Sequence, residues 1–276
     1  MYQHGLPALH GLLIWWVSTC VILFLDSLPR RTFRWSMAGA TGILVGALYG
    51  LAVSATDVSV AGAYTAFTCG VLIWGWLEIS FYMGYVTGPR NIRCGHGCSG
   101  WRHFGHAIQA SLYHELAVLL LAGLVMILTR GSPNQFGLWT FIVLWWMHQS
   151  ARLNVFLGVS NLNAEFLPEH LAHIKSFFRS APMNMLFPFS VTASTICGAL
   201  MAERALSFGP DPFNATGYTL LTTMMALAIL EHWFLVLPIS AARVWNMMWQ
   251  WTLTSRIVPH KTPQPLPREA TIGGHS

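Results

Sequence analysis

Seven apolar runs follow one another along the chain, at about residues 7–25, 36–56, 60–86, 104–129, 136–157, 183–206 and 214–238, each with few or no charges. Each matches the roughly 20 residues that an α-helix needs to cross the hydrocarbon layer. No water reaches the backbone there, so each run must close its hydrogen bonds within itself. The fold class is therefore all-α: a polytopic membrane helix bundle with about seven transmembrane helices. Composition agrees, with 54% hydrophobic residues, 9% charged residues, 13 Trp and 16 Phe. The N-terminus lacks a basic n-region and the first run is long enough to span, so it reads as a helix and not as a cleavable signal.

The loop charges orient the bundle. Arg30, Arg31 and Arg34 follow the first run, and Arg90, Arg93 and Arg102 follow the third. Arg152, Lys175 and Arg179 flank the loop after the fifth, and Arg243, Arg256, Lys261 and Arg268 follow the seventh. The alternate loops hold only Arg130 and Arg204. Basic residues mark cytoplasmic loops, which places the N-terminus outside and the C-terminus in the cytoplasm. The net charge of +5 therefore belongs to membrane topology and not to nucleic-acid binding. Residues 239–255, with Trp245, Trp249 and Trp251, read as an interfacial helix. Residues 1–255 form one transmembrane bundle domain in this reading, and the Pro-rich, polar stretch 256–276 is a disordered cytoplasmic tail. The second run, "AGATGILVGALYGLAVSA", supplies the small residues through which membrane helices pack.

Ionisable residues inside a membrane are costly and call for a partner or a task. They gather on the cytoplasmic half: Glu78 in the third run, His103, His106, His114 and Glu115 in the fourth, His148 and Asn154 in the fifth, Glu231 and His232 in the seventh. The loop "SNLNAEFLPEHLAHIKSFF", residues 160–178, adds Glu169, His170 and His173. Pro168 fits the first position of a short helix that would put Glu169 and His173 on one face. On a helical wheel His103, His106 and His114 share a stripe, from which Glu115 points away.

Three chemistries use such residues. Imidazole and carboxylate bind transition metals, iron first among them, and the metal-ligand candidates are Glu78, His106, His114, Glu115, His148, Glu169, His170, His173, Glu231 and His232. Imidazole also serves as an axial ligand to haem or bacteriochlorophyll, with His103, His106, His114, His148 and Asn154 as the cofactor-binding candidates. A proton relay is the third. Each residue taken singly is met as well by an ordinary interhelical hydrogen bond. The Glu-x-x-His pair of di-iron bundles is absent, and so are the histidine boxes of membrane desaturases. No nucleotide fingerprint or nucleophile elbow identifies a catalytic residue. The five Cys form no disulfide framework; the C-x3-C of "RCGHGC" is a weak metal or redox signal and reads more readily as a Gly-rich loop with two reduced thiols than as a ligand set.

"WWMHQSARLNVFLGVSNLNAEFLPEHLAHIKSFF" (145–178), "WLEISFYMGYVTGPR" (76–90) and "HFGHAIQASLYHELA" (103–117) resemble the PuhE family of photosynthetic complex assembly proteins. The resemblance runs to about Arg256. It implies an integral protein of the cytoplasmic, or intracytoplasmic, membrane of purple phototrophic bacteria, encoded beside the reaction-centre H subunit. Its implied role is assembly of the reaction centre and light-harvesting complex, in association with bacteriochlorophyll levels; the resemblance brings no site residues, and the handling of bacteriochlorophyll or a precursor at the His/Glu cluster rests on topology and chemistry alone. The alternative is a membrane metalloenzyme, a di-iron-like oxidoreductase acting on a tetrapyrrole or quinone. The partners implied are the lipid bilayer, reaction-centre or light-harvesting subunits and pigment-synthesis enzymes.

Overall fold

A computed structural model describes residues 2–95, 97–162, 164, 167–208 and 211–237. Among the described residues there are seven α-helices: α1 (Tyr2–Ser27), α2 (Phe33–Ser54), α3 (Val60–Tyr82), α4 (Gly100–Thr129), α5 (Phe136–Leu157), α6 (Leu186–Ser207) and α7 (Pro212–Phe234). All but α5 are long and apolar enough to cross a membrane. The chain is a multi-pass membrane protein of helices packed in lipid. Helix α5 has the length of its neighbours, but Gln149, Arg152 and Asn154 in its last turns lower its hydropathy. The interfacial helix expected at 239–255 and the tail at 256–276 lie outside the described residues.

Helix ends follow local chemistry. The Ser59 side chain accepts a hydrogen bond from the Gly62 N–H at the start of α3. Asp211 accepts from the N–H groups of Phe213 and Asn214, with Pro212 in the first turn of α7. Helix α3 stops at Tyr82, short of the run's apparent end, because the chain turns at Gly84 with φ +80°. Between α4 and α5, the buried Asn134 amide donates to the carbonyls of Ser54, Asp57 and Gly62 at 3.0, 3.1 and 3.0 Å. Its own Oδ1 accepts from the Phe136 N–H at 3.2 Å, so one side chain fastens three helix ends together.

Helix α3 lies at the centre and packs on α1, α2, α4, α5 and α7. Leu51, Ala66, Ile73, Leu77, Val118, Phe141 and Leu221 form the main core, and Phe67, Met147, Leu220 and Met224 a second one. Small residues of α2 do pack against its neighbours, but not all of them: a Cβ on Gly50 would stand 2.9 Å from Cys69 Sγ. Gly39, Gly42 and Gly46 of α2 face open space, and Ala40 and Ala47 make its contacts. Helices α3 and α5 approach closely, so that a Cβ on Gly70 would stand 2.7 Å from the Gly137 carbonyl oxygen. Glycine stripes alone do not say which side of a helix has a neighbour.

Candidate metal centre within the bundle

Glu78 on α3, His114 on α4 and His148 on α5 converge. One donor atom from each lies within 4.8 Å of the other two. His148 Nδ1 is 3.3 Å from Glu78 Oε1. The His114 ring is 1% exposed, and both of its nitrogens lack a hydrogen-bond partner. Buried polar atoms are nearly always paired, so an unpartnered ring beside a carboxylate and a second imidazole makes this group a candidate ligand set. Phe81 packs on His114 with ring centroids 4.9 Å apart, and Trp74 on His148 at 5.3 Å. His114 and His148 are 5.7 Å apart, centroid to centroid.

A backbone insertion sets the height of His114. The His114 N–H donates to the Thr87 carbonyl at 2.9 Å, outside the helix ladder. Thr87 can reach because Gly88 lies against α4, where a Cβ would come 2.1 Å from the Gln109 oxygen. Beside the triad, Arg152 donates to Glu115 and Ser111, and Gln149 donates to Glu115. This pair bridges α4 and α5 and brings a fixed cation to the site.

The other sequence candidates go elsewhere. Glu115, which the wheel set off the His103, His106 and His114 stripe, has partners of its own in Arg152 and Gln149 on α5. His106 lies eight positions before His114, about 12 Å along the axis at 1.5 Å per residue, too far to share one ion. His103 and His106 instead meet Cys94 and Cys98. The expected loop helix is absent: Glu169–Leu171 and Ile174–Phe177 are separate 3₁₀ turns, with Pro168 just before the first. Glu169 is exposed, and the His170 Nε2–H donates to the Tyr82 carbonyl at 2.8 Å. Partial burial holds both His170 and His173 below the usual histidine range. The loop docks on the ends of α2 and α3 through Phe33 and Tyr82.

His232 is satisfied structurally, with Nδ1 2.9 Å from the Ala228 carbonyl and Nε2 3.0 Å from Ser150 Oγ. Glu231 bonds the Trp15 side chain on the outer face of α7. Buried Asn154 donates to the Ser150 carbonyl and to Ser190 Oγ, at 2.9 and 3.1 Å. At the other membrane face, His4 and His10 bond Thr219 and Thr68 on neighbouring helices and do not reach for headgroups. Sequence reasoning preferred two separate reduced thiols at Cys94 and Cys98, whereas the structure brings the two sulfurs into contact; it missed their meeting with His103 and His106, although the spacing C-x3-C-x4-H-x2-H is visible in the sequence.

A family model described as "protein of unknown function (DUF3623)" matches residues 1–259. An uncharacterised 30.4 kDa protein in the puhA 5′ region of Rhodobacter capsulatus is 39% identical over 278 residues, covering 99% of this chain and 100% of the relative. No solved structure matches.

Proposed function

Starting from the fact that this chain belongs to the DUF3623 family, we propose that it is a membrane-embedded factor in the biogenesis of the bacterial photosynthetic apparatus, holding a divalent transition metal between Glu78, His114 and His148. The relative in the puhA 5′ region, together with the resemblance to photosynthetic assembly proteins at 145–178, supports the cellular role. That role carries with it the intracytoplasmic membrane as location, and reaction-centre or light-harvesting subunits and pigment-synthesis enzymes as partners.

The observation that carries the metal reading is the buried His114 ring with two unpartnered nitrogens, facing a carboxylate and a second imidazole from two other helices. Two imidazoles and one carboxylate leave coordination positions open. They suit non-haem iron(II), and also zinc. A tetrapyrrole fits this place less well. An axial histidine needs room for a macrocycle beyond its ring nitrogen, and here the donor atoms of Glu78, His114 and His148 crowd within 4.8 Å of one another, with Glu78 3.3 Å from His148 Nδ1. A bound ion supplies Lewis-acid or one-electron chemistry. The chain's own residues orient the donors: Thr87 sets the height of His114, and Glu78 fixes the His148 ring.

The test is metal analysis of detergent-purified protein beside His148→Ala and Glu78→Gln variants, with reaction-centre absorption measured in cells that carry each variant in place of the native chain. Stoichiometric iron or zinc, lost in both variants together with pigment–protein complexes, supports the proposal. Metal-free protein, or variants that assemble normal complexes, refutes it.

A further inference from the structure

We propose a second metal site, separate from the triad: Cys94, Cys98, His103 and His106 bind one zinc-type ion that ties the α3–α4 loop to the first turns of α4. His103 Nδ1 lies 3.3 Å from Cys94 Sγ. His106 Nδ1 lies 3.5 Å from Cys94 Sγ and 3.3 Å from Cys98 Sγ. A tetrahedral ion with Zn–S of about 2.3 Å and Zn–N of about 2.0 Å separates sulfur from nitrogen by about 3.5 Å, so these three contacts already have the spacing of one coordination shell. The donor atoms of Cys94, Cys98 and His106 all lie within 4.8 Å of one another. These three donors form the group as it stands; His103, in contact with Cys94 Sγ, supplies the fourth on loading, and two thiolates and two imidazoles then make a closed shell of the structural type, unlike the open Glu78–His114–His148 triad.

The chain builds this arrangement locally. His103 and His106 are one turn apart at the start of α4 and present both rings to the loop. Gly97 at φ +83° and Gly100 at φ +61° let the loop fold back so that both sulfurs reach that face. Two of the ligands also have outer support. The Cys94 N–H donates to Ser176 Oγ at 3.0 Å, which links the site to the 160–178 loop. The His103 ring stacks on Phe156 at 5.4 Å with the planes 26° apart, and lies 5.3 Å from Phe177, so its orientation is fixed.

The structure places the two sulfurs in disulfide contact. The charge pattern puts this loop on the cytoplasmic side, where the glutathione pool keeps thiols reduced. Loading with metal takes both cysteines as thiolates, releases their two protons, and moves the sulfurs to about 3.8 Å apart.

The test uses the full chain, purified in detergent with a thiol reductant and titrated with cobalt(II) as a spectroscopic stand-in for zinc. About one cobalt per chain is expected to give a thiolate-to-cobalt charge-transfer band and the visible bands of a tetrahedral site. Zinc should bleach both. Both should vanish in Cys94→Ser/Cys98→Ser and persist in Glu78→Gln, which separates this site from the triad. The wild-type spectrum decides the matter even where the double variant folds poorly. Absence of the thiolate band in reduced wild-type protein overturns the proposal. So does acid-quenched alkylation of whole cells that finds Cys94 and Cys98 as a disulfide.

Discussion

Gly88→Ala tests the backbone insertion that positions His114. A Cβ at residue 88 would stand 2.1 Å from the Gln109 oxygen, 2.6 Å from the Ala110 carbonyl carbon and 2.7 Å from the Ser111 nitrogen. All three are backbone atoms of α4, so no side chain can swing aside. The loop must retreat by roughly 1 Å, the order of overpacking that costs about 1–3 kcal/mol. That retreat stretches the bond from the His114 N–H to the Thr87 oxygen, now 2.9 Å, beyond hydrogen-bonding range. An orphaned buried N–H adds about 1–3 kcal/mol, and more in lipid than in water. The sum, roughly 2–6 kcal/mol, corresponds to a fall on the order of 10 °C in apparent Tm for a chain of this size. Because His114 moves with its backbone, metal bound at the triad should fall as well. Gly105→Ala is the control. It lies in the same helix with nothing within 4 Å, and should hold or raise Tm slightly. The assay is thermal unfolding in detergent with metal content measured on the same samples. A Gly88→Ala protein with unchanged Tm and unchanged metal content would show that the close approach is not real.

Glu115→Gln should destabilise the bundle by roughly 1–3 kcal/mol, since Arg152 is left with a neutral partner, although its partial exposure limits the loss; denaturant unfolding of the variant beside Arg152→Met checks this. Asn134→Ala should cost roughly 3 kcal/mol, because three helix-end carbonyls and the Phe136 N–H lose their partner; metal content should stay as it is, as Asn134 is at the far end of α5. His170 and His173 have folded-state affinities for protons below the unfolded value, so the stability they contribute to loop docking is complete above about pH 6.5 and declines as pH falls below it. Hydrogen exchange of residues 167–185 should therefore accelerate between pH 7.5 and 5.5, judged against the intrinsic exchange rate. The double variant His170→Gln/His173→Gln should flatten that dependence, and a profile equal to wild type would count against the docking role.

Much of the site was written in the sequence as an inventory. Glu78, His114 and His148 are conspicuous because a charged or polar side chain in an apolar run needs a partner. Their meeting was not legible, since it depends on α4 and α5 both lying beside α3, and the order of helices around a bundle is set by side-chain fit between faces that look equally apolar. The wheel placed His103, His106 and His114 on one stripe correctly, but angle without height joined two sites that lie about 12 Å apart. Pro168 and the Glu169–His173 spacing read as an α-helix. The segment closes as two 3₁₀ turns instead, because His170 is drawn to the Tyr82 carbonyl and Phe177 is buried.

The sequence by itself determined that this chain is a set of membrane helices, and nearly where each begins and ends. That follows from a local necessity: in hydrocarbon a backbone must satisfy its own hydrogen bonds, so apolar runs of spanning length have only one common solution. It also carried the C-x3-C-x4-H-x2-H spacing, because ligands on one loop and the adjoining helix turn are brought together by local geometry alone. Only the tertiary structure decided that Glu78, His114 and His148 share one point, that Glu115 is committed to Arg152, and that Asn154 and His232 are satisfied by their neighbours. Those outcomes rest on contacts between helices distant in sequence, where close approaches such as Gly70 on Gly137 and Gly88 on Gln109 fix which faces meet.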